Sequence, residues 1–232
     1  MGQLGGYERA FEYVHRALAF NRQIGNQAST IETLCILGWL HLKNGDAASA
    51  LASYQDALVA IEASDAHSFV GAAWLGIGEA LTELQQLEEA QVALDTALRL
   101  QHEMRQTQTI PMNLIALARV AHAQGQRTQA LASVDDVLSA VNQHDYEYAA
   151  DLPSILWTCY QVLQANGDDR ALPTLQLAYQ RVQAQAASIE DDTLRQSFLS
   201  RVKVNREIAK AYRNNRPAAT SDSAITTTKT GV

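Results

Sequence analysis

The sequence predicts an all-α protein, a solenoid of antiparallel helix pairs. Three observations carry that expectation: a pattern that recurs every 40 residues, two apolar faces at helical spacing within each recurrence, and a composition poor in strand formers. Of 232 residues, 47% are hydrophobic and only 6% aromatic, with four prolines. Ala, Leu and Gln are abundant and β-branched runs are few, which favours helix. A charged fraction of 19% suits a folded soluble chain over most of its length.

The recurrence shows first at the turns. Gly5, Gly45 and Gly125 are followed five residues later by Ala10, Ala50 and Ala130, and Leu84-Gln85 leads likewise to Ala90. Beyond each alanine, at four and seven residues, stand Val14 and Ala17, Tyr54 and Ala57, Leu94 and Ala97, Val134 and Val137. That spacing sets each trio on one helical face. Upstream of the turns lies another helical stretch. It reads Leu34, Leu37, Gly38 and His41, then Trp74, Ile77, Gly78 and Leu81, then Leu114, Leu117, Ala118 and Ala121. A glycine inside a helix costs about 1 kcal/mol against alanine. Gly38 and Gly78 therefore mark places where two helices meet closely.

Taken in order, residues 1–27 form a half repeat, a helix from Tyr7 to about Ile24 preceded by Gly5-Gly6 as a turn. Its face Ala10, Val14 and Ala17 is expected to lie open to water, as in a fragment cut from a longer array. Full repeats follow at about 28–66, 67–106, 107–145 and 146–189. The last is the most degenerate. Asp151-Leu-Pro153 opens its first helix, Asn166-Gly167-Asp168 turns the chain, and the second helix carries Ala171, Leu175 and Ala178. These alanines come one residue early after the turn glycine, which predicts a turn shorter by one residue and leaves the first helix's register open by one. Residues 190–213 hold two capping helices, about Leu194–Leu199 and Val204–Tyr212, the first capped by Asp191-Asp192-Thr193. Phe198, Leu199, Val202, Ile208 and Tyr212 are expected to seal the last apolar face. Residues 214–232, rich in Ser, Thr and Ala without periodicity, read as a disordered tail.

The two faces resemble the tetratricopeptide repeat (TPR). Its first helix carries a large residue, a Leu-Gly pair and an aromatic, and its second helix carries Ala, an aromatic and Ala. The matching residues are Trp74, Ile77 and Gly78 with Ala90, Leu94 and Ala97, and Leu34, Leu37 and Gly38 with Ala50, Tyr54 and Ala57. The resemblance covers residues 3–189, at 40 residues per unit rather than the usual 34 and without the closing proline. It implies a right-handed superhelix with a concave groove lined by the first helices. Further on, Leu194 to Leu199, Val202 and Asn205 to Ile208 resemble the segment closing TPR arrays in bacterial signal-transducing ATPases with numerous domains (STAND). That implies the sensor end of a larger signalling or transcriptional regulator. A free-standing interaction scaffold is the alternative.

Composition and motifs exclude several other functions. Residues 1–194 sum to −13 and residues 195–232 to +6, and an acidic body does not attract nucleic acid. No apolar run approaches a membrane span, and Met1-Gly-Gln-Leu-Gly-Gly lacks the basic start of a signal peptide. Cys35 and Cys159 have no metal-ligand spacing and read as reduced thiols of a cytoplasmic protein. Gly76-Ile77-Gly78 lacks the lysine of a phosphate loop and sits mid-helix. Asp135-Asp136 point apart on a helix, and Asp168-Asp169 lie in a turn. The six histidines form no metal pair. No enzyme, catalytic residue, cofactor or metal is expected.

The expected site is the groove. TPR likeness implies that the residue after Gly38, Gly78 or Ala118, and the one a turn later, point into it. These are Trp39 and Leu42, Glu79 and Thr82, Arg119 and His122, continued by Tyr160 and Leu163 if the last register holds. One turn earlier come Cys35, Leu75, Ile115 and Leu156. Aromatic anchors with a few polar selectors suit a protein, a peptide or a small effector. Self-association through the uncapped N-terminal end is a further expectation.

Overall fold

The computed structural model describes residues 4–64, 66–106, 109–143 and 152–215. Among these residues there are eleven α-helices and no strand. They are α1 (Leu4–Gln23), α2 (Gln27–Asn44), α3 (Ala47–Glu62), α4 (Val70–Glu83), α5 (Leu87–Glu103), α6 (Ile110–Ala123), α7 (Arg127–Gln143), α8 (Leu152–Ala165), α9 (Ala171–Ala187), α10 (Asp192–Arg201) and α11 (Lys203–Asn215). A 3₁₀ turn at His67–Phe69 leads into α4. Helices pair as α2 with α3, α4 with α5, α6 with α7 and α8 with α9, and the first helix of each following pair packs against both helices of the pair before it. The result is a right-handed TPR-like solenoid.

One turn geometry repeats in all four pairs. The residue closing the first helix is left-handed: Gly45 (φ 83°), Gln85 (φ 61°), Gly125 (φ 72°) and Gly167 (φ 65°). Its N–H donates to the carbonyl three residues back, at Leu42, Thr82, His122 and Gln164. The next N–H donates to His41, Leu81, Ala121 and Leu163. This arrangement satisfies carbonyls that the helix leaves unpaired. Gln85 adopts it without glycine's freedom, which is why the glycine spacing lapses there. Helices start on polar caps where the sequence supplies them: before α2, Asn26 accepts from the Ser29 N–H, and before α3, Asp46 accepts from the Ser49 N–H, each at 3.0 Å.

Small residues set how closely the helices approach. Ala50, Ala57, Ala90, Ala97 and Ala130 are wholly buried on the inner face of the second helices. Tyr54 of α3 slots its ring between α2 and α4. A Cβ on Gly38 would lie 2.7 Å from that ring and one on Gly76 2.2 Å, so both glycines are needed to admit it. Gly78 makes similar room for Leu94. Gly76 and Gly78 therefore lie mid-helix in packing positions. Between α5 and α6, the buried Asn113 amide donates to Leu94 O and Gln101 Oε1, a polar tie across the repeat boundary.

The ends depart from expectation in four respects. Gly5 and Gly6 are not a turn but part of the first turn of α1. Val14 is half-buried and packs, with Phe11 and Leu18, against the α2–α3 core. Ala17 and its neighbours Tyr13 and Phe20 are left exposed. At the other end, Asp191 caps α10 as expected, its carboxylate accepting the Leu194 N–H at 2.8 Å. Both cap helices run longer than expected, and Asn214 and Asn215, expected in the tail, end α11. Phe198, Leu199, Ile208 and Tyr212 join the last core, and Tyr212 stacks on Tyr179 with ring centroids 4.1 Å apart. Val202 does not, because it sits in extended backbone between the two helices and is exposed. Asp151 and the rest of the proposed tail, 216–232, lie outside the described residues.

Candidate functional site

The turns fix the register of every first helix. Counting back seven residues from Gly45, Gln85 and Gly125 gives Gly38, Gly78 and Ala118, the close-packing position. The same count from Gly167 gives Tyr160. Tyr160 therefore occupies the packing position, is only 2% exposed, and stacks obliquely on Trp157 at 5.2 Å. Leu163 and Leu156 are wholly buried in the same core. The residue in line with Trp39, Glu79 and Arg119 is Gln161, which is exposed. The short turn is the cause: Ala171 follows Gly167 by four residues, where Ala130 follows Gly125 by five.

Along that line the side chains differ in kind. Trp39 is 46% exposed, and the Lys43 ammonium sits 5.6 Å from its ring centroid, within cation–π range. Ile36, on the same helix, is also exposed. Glu79 and Arg119 are half-buried. The Arg119 guanidinium of α6 donates to the Glu83 carboxylate of α4, tying two successive units together. One turn on, Leu42 is half-buried, His122 and Gln164 are exposed, and Thr82 is buried with its hydroxyl donating to Gly78 O at 2.7 Å. One turn back, Leu75 and Ile115 are buried and Cys35 half-buried, so these pack beneath that line rather than standing on it. Burial, with the Glu32 charge added, pushes the Cys35 thiol up to about 11.

Tyr54 was not legible as part of this region. It belongs to a second helix, yet its ring passes between two first helices. Burial, then the Glu79 charge, then Cys35 push its hydroxyl pKa upward. The phenol thus stays neutral beside Glu79 and Cys35, two of the residues expected in the groove. The paired glycines Gly38 and Gly76 are the sequence signal of this slot.

The acidic pairs noted in the sequence are also resolved. Asp135 of α7 and Asp168 of the last turn both accept from the Arg170 guanidinium, so one member of each pair joins a clamp between neighbouring units. Hydrogen bonds from the Arg170 side chain and backbone hold the Asp168 carboxyl at about 2, below its ordinary 3.8. Among the described residues, no group of three or more His, Cys, Asp or Glu is arranged to hold a metal.

Comparison with known proteins agrees with this architecture. Residues 71–102, the α4–α5 pair, match the model of the tetratricopeptide repeat. Two crystal structures are similar over most of the chain. BtubC (BKLC) from P. vanneervenii aligns with a TM-score of 0.61 and 15% identity, over 97% of this chain and 99% of that one. A candidate kinesin light chain of Podospora anserina with nearly identical TPR-like repeats aligns with a TM-score of 0.53 and 20% identity, over 81% and 95%. At such identities the likeness establishes the fold, a TPR-like repeat solenoid. No curated protein sequence matches the chain.

Proposed function

We propose that the solenoid is a non-catalytic recognition module that holds a protein, a peptide or a small effector in the groove of its first helices. One observation carries this reading. Where packing dictates the residue, the first three units repeat it, as at Gly38, Gly78 and Ala118. The next position reads Trp39, Glu79, Arg119 and Gln161, four unlike side chains on one line, with Trp39 turned half to water. Packing does not select such a series, and a half-exposed tryptophan offers the large rigid surface typical of a binding anchor.

The closing segment supports a finer reading, the sensor end of a larger bacterial regulator. Leu194 to Ile208 carries the STAND-like pattern and forms a helical cap that closes the array. The exposed Tyr13 and Phe20 at the other end favour a scaffold that also joins other chains, or copies of itself, through α1. The gene's upstream sequence discriminates the two: an ATPase module with a phosphate-binding loop there supports the regulator. The free thiols Cys35 and Cys159 support a cytoplasmic setting. No helix among the described residues is long and apolar enough to cross a membrane.

The groove is tested with a partner captured from the source cell and its affinity measured. Trp39→Ala should weaken binding by about 2 kcal/mol or more, roughly thirtyfold, with helicity unchanged. Arg119→Ala should also weaken it, and Gln55→Ala, on the outer face of α3, should not. Loss with Gln55→Ala and none with Trp39→Ala overturns the site.

A further inference from the structure

Charge is distributed in blocks along this chain. Between Lys43 and Arg99 there is no lysine or arginine, while nine aspartates and glutamates occur. This stretch supplies α3, α4 and α5 as far as Leu98. On α4 and α5 it forms an open apolar cleft of about 490 Å³, lined by Trp74, Ile77 and Leu81 with Val92 and Ala93, and Glu88 and Glu89 stand on its lip. Both glutamates are exposed, and neither makes an ion pair among the described residues. Val92 is 65% exposed, so the cleft presents apolar surface to water under a negative rim.

The cap carries the opposite charge. On α11, Lys203, Arg206, Lys210 and Arg213 recur at spacings of three, four and three, which places them along one exposed face. The other face is committed to the core through Ile208 and Tyr212. Arg206 contacts Glu207 at 3.8 Å; Lys203, Lys210 and Arg213 have no acidic partner among the described residues. Val202, exposed, stands at the head of this basic row.

We propose that the basic face of the cap docks on the acidic cleft of a second copy of this chain. Val202 meets the apolar floor, and Lys203 with its neighbours meets Glu88 and Glu89. The occupant is a second copy because one sequence carries both complementary halves, and within a chain they are held apart: α11 packs on α8, α9 and α10, whereas the cleft belongs to α4 and α5. Each copy offers one basic face and one acidic cleft, so the contact is heterologous and adds copies beyond a dimer unless it closes into a ring. This surface is separate from the Trp39 line, and neither proposal depends on the other.

Sedimentation velocity of the full chain over a concentration series tests it. At about 20 mM salt, with a Debye length of roughly 20 Å, species larger than a monomer should grow with concentration. At about 500 mM salt, with a Debye length of roughly 4 Å, association should weaken by about tenfold or more. Lys203→Glu with Lys210→Glu should abolish it, as should Glu88→Lys with Glu89→Lys. A mixture of these two double variants should associate again, because the intact basic cap of the cleft variant meets the intact acidic cleft of the cap variant, and their two reversed surfaces are complementary as well. A monomer at every concentration in low salt overturns the proposal. So does association that both reversals leave intact, or that Tyr13→Ser with Phe20→Ser removes while the reversals do not; the last result assigns the contact to the open face of α1.

Discussion

Tyr54 shows how much one side chain determines in a repeat of this kind. Its ring fills a slot that exists because residues 38 and 76 lack a Cβ. A methyl at 76 has to displace a ring enclosed on both sides, and overpacking of this kind costs about 1–3 kcal/mol. Gly76→Ala should therefore destabilise the protein by that amount in urea unfolding. The loss should be smaller in a Tyr54→Leu background, where the slot is part empty. A double-mutant cycle reads the difference directly, and additive losses would mean that the ring is not what Gly76 accommodates. A helix-propensity effect alone has the opposite sign, since alanine is the better helix former.

At the level of helices, the last pair depends on two contacts of different character. The cap covers it with apolar surface: Ile208 is wholly buried, and Tyr212 lies flat on Tyr179, the ring planes 6° apart. Deleting residues 190–216 uncovers that surface and should lower both the unfolding midpoint and solubility, while deleting 217–232 should change neither. Equal behaviour of the two truncations refutes the capping role. The Arg170 clamp is electrostatic and exposed. Because folding lowers the Asp168 pKa from 3.8 to about 2, its contribution is present above the unfolded value and is lost as pH falls through the folded one. Asp168→Asn should flatten the pH dependence of stability between about pH 4 and about pH 2 relative to the parent. An unchanged slope would show that the clamp does not couple to folding.

Over the whole molecule, the sequence disclosed what repetition enforces and concealed what one unit does alone. The pairing of helices was legible because Ala50, Ala90 and Ala130 recur where second helices must pack, and all are wholly buried. The register of the first helices was legible in the first three units for the same reason, through Gly38, Gly78 and Ala118. It slipped at the fourth, where Gly167 and Ala171 are four residues apart, and Tyr160 was assigned to the groove although it belongs to the core. The Arg119–Glu83 and Asp135–Arg170 pairs were hidden, because they join residues more than 30 apart in different units, and periodicity carries no information about which charges meet. The central claim is that recognition occurs on the first helices. Hydrogen exchange of the protein, free and loaded with a captured partner, tests it most directly. The account predicts added protection along α2, α4, α6 and α8, greatest around Trp39. Protection confined to α3, α5, α7 and α9 would contradict it.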